Sequence, residues 1–110
     1  MNNTTYLIVP YAVYTDERLN HFDKLLYGKI YSLSRYQGYC WASNSYLAEE
    51  QHVSESYVSK AIKRLRDCGY VEYTFDNSVK NEFRRRIYIN YETLEITGDK
   101  TKNIDEGLTL

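Results

Sequence analysis

The chain has 110 residues, 43% apolar and 26% charged, which suits one domain with a modest core. Its net charge of −1 excludes a protein that binds polyanions by bulk charge alone, so any nucleic-acid affinity must come from a local concentration of base. No apolar run is long enough to span a bilayer and no signal or lipidation motif is present, from which a cytoplasmic protein without a membrane partner is expected.

In chain order, Met1 to Thr5 is polar and expected to fray. Leu7-Ile8-Val9-Pro10 reads as a short strand, with Pro10 tolerated at an edge or strand end. Tyr11 to Leu19 connects, with a turn at Thr15-Asp16-Glu17. Asn20 can cap a first long helix that runs to about Gln37, before Gly38. Its apolar stripe is Phe22, Leu25, Leu26, Ile30 and Leu33, edged by Tyr27 and Tyr31. Gly28 costs up to about 1 kcal/mol against alanine inside a helix, which predicts close approach of another backbone or a bulky ring such as Trp41. Lys24, Lys29 and Arg35 are expected to be solvated, with Lys24 the best placed of them for a phosphate.

Gly38 to Ala42 joins this helix to Ser43, the N-cap of the next. Trp41 is read as a core plug, since a single tryptophan without a partner aromatic in a basic groove gives little reason to invoke single-strand binding. Asn44 and Ser45 open the second helix, whose free amides can anchor a backbone phosphate. That helix covers Tyr46 to His52. Val53-Ser54 then interrupts, with Ser54 as N-cap and Glu55 at the positive end of the dipole. The third helix repeats Val58, Ala61, Ile62, Leu65 and Cys68 on one face, and Gly69 ends it. At about 100° per residue the opposite arc carries Ser56, Ser59, Lys60, Lys63 and Asp67, flanked by Tyr57, Arg64 and Arg66. Short, hydroxylated and basic, that face suits a major groove: small side chains allow close approach, hydroxyls bond phosphates or bases, and the cations neutralise phosphates or reach guanine edges. A solvated amphipathic helix would carry the same stripe, but the residues after Gly69 weigh against that reading.

From Tyr70 the apolar period becomes two. Tyr70 to Phe75 and Arg86 to Tyr91 read as strands, joined by Asp76 to Arg85, a polar stretch with Lys80 that leads into Arg84-Arg85-Arg86. A basic hairpin directly after a recognition helix is a wing. The expected fold is therefore α+β, a winged helix-turn-helix of three helices with a short N-terminal strand and a C-terminal β-hairpin wing. It is expected to span residues 6–96, with Glu92 to Ile96 extending the strand or forming one turn and residues 97–110 a linker or disordered tail. Met1 to His52 has four bases and five acids, Val53 to Tyr91 eight and five, and Glu92 to Leu110 two and five, so the base lies in the third helix and wing.

The runs LLYGKIYSL (Leu25 to Leu33), GYCWASNSYLAEE (Gly38 to Glu50), VSESYVSKAIKRLRDCGYVE (Val53 to Glu72) and RRRIYI (Arg84 to Ile89) resemble the N-terminal domain of replication initiators, the replisome-organiser proteins of plasmids and phages of low-GC Gram-positive bacteria. The opening YLIVPYAVY (Tyr6 to Tyr14) fits the same pattern, and the resemblance covers roughly Tyr6 to Tyr91. It implies an origin-binding domain that reads repeated or palindromic double-stranded DNA, often as a homodimer. Two features depart from the family. His52 stands where a glycine usually precedes Val-Ser, and histidine tolerates the left-handed region less easily. Members also continue through a linker into a C-terminal domain that engages a host replication protein, whereas this sequence stops at Leu110, so origin binding carries over and helicase recruitment does not.

Cys40 and Cys68 lack CxxC spacing and lie far from His21 and His52, so a zinc site is not expected and the cysteines read as buried reduced thiols. There is no Gly-rich phosphate loop, HExxH or GxSxG, and Glu49-Glu50 face different directions on a helix, so neither catalysis nor a cofactor is expected. Thirteen tyrosines suit half-buried positions and predict a tyrosine-rich rim to the core. Three uses remain: origin recognition, a small transcriptional repressor with the same DNA chemistry, and a phage-encoded protein-binding inhibitor or adaptor with the tyrosine rim as its interface. The candidate DNA-contacting residues are Asn44, Ser45, Ser54, Ser56, Tyr57, Ser59, Lys60, Lys63, Arg64, Lys80, Arg84, Arg85 and Arg86.

Overall fold

Each of the three longer helices starts at a side chain that satisfies one of its unpaired amides. The computed structural model describes residues 6–76 and 84–94. A single helical turn, α1 (Tyr11–Tyr14), precedes α2 (His21–Ser34), α3 (Asn44–Gln51) and α4 (Glu55–Asp67). At α2 the Asn20 side chain accepts from the Asp23 amide at 2.8 Å while the Asp23 carboxylate accepts from the Asn20 amide at 3.1 Å, a reciprocal capping box. The hydroxyl oxygens of Ser43 and Ser54 each accept at 3.0 Å from the amide three residues on, Tyr46 and Tyr57. The expected caps at Asn20, Ser43 and Ser54 all form.

The helix ends are as local as their starts. Gly69, at φ 86°, lets its own amide reach Arg66 O at 2.9 Å and the Tyr70 amide reach Leu65 O at 3.0 Å, so α4 closes in a Schellman motif. His52 does the same for α3 at φ 61°, with the Val53 amide donating to Ala48 O at 3.0 Å. It is the one non-glycine residue of positive φ among those described, at the position where the sequence departs from the usual glycine. His52→Gly is expected to raise stability by about 0.5 kcal/mol, because relief of the left-handed strain slightly exceeds glycine's extra unfolded-state entropy. A urea titration measures it, and a lower midpoint would refute it.

β1 (Val71–Asp76) and β2 (Arg84–Ile89) pair antiparallel in the register Val71↔Ile89 to Asp76↔Arg84. Cys40 lies on the other edge of β2 as an isolated bridge to Ile87, its amide 2.7 Å from Ile87 O and the Ile87 amide 3.0 Å from Cys40 O. The N-terminal strand expected over Leu7 to Pro10 does not form; residues 7–10 are in no strand, and the segment instead crosses α2 at Gly28. A Cβ on Gly28 would meet Leu7 Cβ and Val9 Cγ2 at 3.2 Å and Ile8 O at 3.5 Å. The close backbone approach is therefore real, and it comes from the N-terminal segment, not from Trp41.

One core joins all these elements: Val13, Leu26, Tyr27, Ile30, Leu47, Val58, Leu65, Val71 and Ile87 are wholly buried. Tyr27 and Tyr70 belong to it, ring edge to face at 6.0 Å, and Tyr31, Tyr39, Tyr73 and Tyr88 are half-buried at its rim, but the other seven tyrosines are exposed, so the expected half-buried rim takes only a minority of them. After β2, residues 91–94 form one helical turn. Asn90 Nδ2 and Thr93 Oγ1 both donate to Gly69 O, at 2.9 and 2.8 Å, tying the end of the sheet to the end of α4. The result is an α+β winged helix-turn-helix. The expected tail and Met1 to Thr5 lie outside the described residues.

The turn after α1 is fastened by Asp16. Its carboxylate accepts from Arg18 Nη2 at 2.6 Å and from the Tyr70 hydroxyl at 2.7 Å. Arg18 beside it holds the carboxyl well below the usual range, and burial with the Asp16 charge pushes the Tyr70 phenol up to about 12. The unfolded chain, with Asp16 near its ordinary value of about 3.9, takes up this proton before the folded one does. Asp16 thus adds stability that is complete above about pH 4 and is lost as pH falls below it. Asp16→Asn is expected to flatten the acid limb of a stability–pH curve; an unchanged limb would refute the assignment.

Candidate nucleic-acid interface

The buried stripe of α4 decides which way that helix faces. Val58, Ala61, Ile62 and Leu65 are buried against the core, so the rest of the helix surface is directed away from it. Ser56, Tyr57, Ser59, Lys60 and Lys63 are exposed. Between Ser56 and Lys63 no carboxylate interrupts this face. Tyr57 leans on Phe22 with ring centroids 4.7 Å apart, which steadies the first turn of the helix. Ser54 lies at the junction with its hydroxyl engaged in the cap. In the first turn of α3, Asn44 is half-buried and Ser45 exposed.

Arg64 is placed differently. Its Nε and Nη2 donate to the two oxygens of Asp23 at 2.7 and 2.9 Å, a bidentate pair with a carboxylate that is 0% exposed. Asp23 holds the guanidinium pKa above its usual value. Arg64 therefore connects α4 to the capping box of α2. Arg66 turns to the sheet, Nη1 donating to the Tyr73 hydroxyl at 2.8 Å over that ring. Lys24, read as solvated, donates to Tyr14 O at 2.7 Å, and Lys29 pairs with Glu50 at 3.0 Å between α2 and α3.

The wing brings its arginines beside the start of α3. Arg84 is exposed. Arg85 is half-buried, its Nη2 donating to Ala42 O at 2.9 Å, and burial lowers its pKa. Arg86 lies 4.6 Å from the centre of the Tyr39 ring. Lys80 lies outside the described residues.

The sequence missed the aromatic side of this region. Trp41, read as a core plug, is 48% exposed; the extended segment alternates, so Cys40 and Ala42 take the buried positions at 0% and Trp41 points away. It packs against Tyr46 at 5.1 Å. Phe75, opposite Arg85 in the hairpin, is 58% exposed. Trp41 and Phe75 line one open groove with Ser43, Asn44, Glu55 and the wing arginines. The alternation of Cys40-Trp41-Ala42 was the available signal, outweighed by the lack, in the local sequence, of a partner aromatic in a basic groove.

Both cysteines are free thiols; Cys40 is buried as expected, Cys68 only partly, and burial raises the pKa of each. Among the described residues no group of three or more His, Cys, Asp or Glu could hold a metal ion, and no helix is long and apolar enough to cross a membrane.

A search of curated proteins finds no match to the chain. A family model described as a helix-turn-helix domain matches residues 17–71, from the turn before α2 to the first residue of β1. The match spans half of the 110 residues and includes both helices of the motif, the turn between them and the Asp23–Arg64 clamp that holds the second one, so the chain belongs to the helix-turn-helix domain family.

Proposed function

We propose that the chain binds double-stranded DNA in a sequence-specific manner, with α4 in a major groove and the wing on the adjoining backbone or minor groove. The observation that carries this is the exposed face of α4. From Ser56 to Lys63 it offers two serines, a tyrosine and two lysines with no carboxylate among them. Lys60 and Lys63 neutralise phosphates or reach guanine edges, and Ser56 and Ser59 are short enough to let the helix approach the bases. Asn44 and Ser45 at the start of α3, and Arg84, Arg86 and Lys80 in or near the wing, add backbone contacts. Ser54, Arg64 and Arg85 serve mainly to build the surface, given the partners they hold.

The biological use we propose is recognition of a plasmid or phage replication origin, supported by the likeness of the runs between Leu25 and Ile89 to replication initiators. Two copies on a repeated or palindromic site would match that use. In a longer chain, a further domain would engage the host replication protein. A repressor would use the same surface on an operator.

The test is a binding titration of the purified chain against duplex DNA from its own coding region and a scrambled duplex, at low and physiological salt. Tight, salt-sensitive preference for the native duplex is expected, and the mapped position of the site separates origin from operator. Weak binding without preference that vanishes as salt rises would overturn the reading in favour of a protein-binding module.

A further inference from the structure

We propose that the groove between the wing and the start of α3 is a second nucleic-acid site, one that takes unpaired bases of single-stranded DNA. The inference rests on the DNA-binding reading and shares Asn44, Ser45, Arg84 and Arg86 with the backbone contacts of the duplex mode; what it adds is a use for the two exposed rings, which that mode leaves without one. Trp41 and Phe75 carry it. Both rings are large, about half exposed, and line the same groove as Arg84, Arg85 and Arg86. Exposed aromatic faces beside base are the chemistry of single-strand recognition: rings stack on bases of any sequence while cations follow the phosphates. In a duplex those base faces are occupied by their neighbours, so a stacking surface of this kind has no use for a paired base.

The rings are held before any ligand arrives. Tyr46 backs Trp41 at 5.1 Å, and Tyr73 meets Phe75 edge-on at 6.0 Å and 83° while accepting a hydrogen bond from Arg66 at 2.8 Å. A preorganised surface loses little side-chain entropy on binding. The charge agrees, with three arginines along the groove and Glu55 as the one carboxylate among its described lining residues.

A further observation points to a polar ligand. Asn44 Oδ1 and Arg85 Nε are both buried with no hydrogen-bond partner among the described residues, and both residues line this groove. An acceptor and a donor left unsatisfied in the wall of one groove carry a desolvation cost that a shift of the groove side chains on binding, opening them to a base edge or a bridging water, would remove.

Trp41 is the only tryptophan in the chain, so its fluorescence reports on this groove directly. The experiment titrates the full chain with oligothymidylate of about eight nucleotides, within the usual span of single-strand sites, and separately with the native duplex. Expected is quenching of Trp41 by the oligonucleotide. With a labelled oligonucleotide, Phe75→Ala and Trp41→Ala should each weaken binding about tenfold, the scale of one lost base stack. Both side chains are half in solvent, so the variants should keep the wild-type circular dichroism, and Phe75→Ala should leave duplex affinity unchanged. Lys60→Ala with Lys63→Ala should do the reverse, weakening the duplex and sparing the oligonucleotide. No quenching by oligothymidylate overturns this inference whatever the duplex result. Quenching by the duplex alone also overturns it, since the groove would then be a backbone contact of the duplex mode. Oligonucleotide binding that depends on Phe75, with no duplex preference, would keep this site and sink the duplex reading alone.

Discussion

Arg64→Ala is expected to lower the stability of the domain by about 3 kcal/mol while leaving the exposed face of α4 chemically intact. Asp23 is wholly buried at the third position of α2, where Oδ2 accepts from both the Asn20 amide and Arg64 Nε, and Oδ1 accepts from Arg64 Nη2. Removing the guanidinium strands a carboxylate in the interior with one hydrogen bond. Breaking a buried pair from one side costs about 3–5 kcal/mol. Arg64 itself is 37% exposed, so solvent can enter the vacated space, and the lower end applies. Arg64→Lys should recover part of the loss, because the charge returns without the two-pronged geometry. Urea unfolding reads the effect as a lower midpoint at unchanged slope. The opposite pattern, wild-type stability with a large loss of DNA affinity, would make Arg64 a DNA ligand instead of a clamp.

Lys60→Ala combined with Lys63→Ala is expected to reduce affinity for duplex DNA by about 10- to 100-fold at low salt, with little change in stability. Both lysines are exposed on the same side of α4, three residues apart. Each phosphate contact contributes about 0.9 to the slope of log affinity against log salt, so losing two should flatten that slope by about two. A lysine that reads a guanine instead would relax sequence preference at one position without the full change in slope. Fluorescence anisotropy at several salt concentrations separates these outcomes, and unchanged affinity would remove α4 as the reading helix.

Lys60 and Arg64 lie one turn apart on one helix, yet the expected consequences of replacing them belong to different properties. Helical periodicity alone placed Arg64 among the flanking DNA-facing residues. Its partner Asp23 is 41 residues earlier in the chain, and no local pattern announces an ion pair over that separation. Lys60 and Lys63 needed no such information, because the stripe from Val58 to Leu65 already assigns them to solvent.

Where the three longer helices begin, where the last of them ends, and that a hairpin comes after them could be read from the residues alone, since Asn20, Ser43, Ser54 and Gly69 act on backbone groups within four residues of themselves; the turn at Tyr11–Tyr14 and the end of α2 at Ser34, short of the expected Gln37, could not. The concentration of base in the α4–wing half was equally legible, because charge can be counted. Long-range packing was needed to establish that Cys40 lies beside β2, that Leu7 to Val9 cross α2 at Gly28 instead of forming a strand, and that Trp41 shares a groove with Phe75. Those outcomes depend on which of several competing apolar segments fits a given face once the others are packed. That choice is a matter of shape between residues far apart in the chain, whereas capping and periodicity are matters of the backbone's own geometry over a single turn.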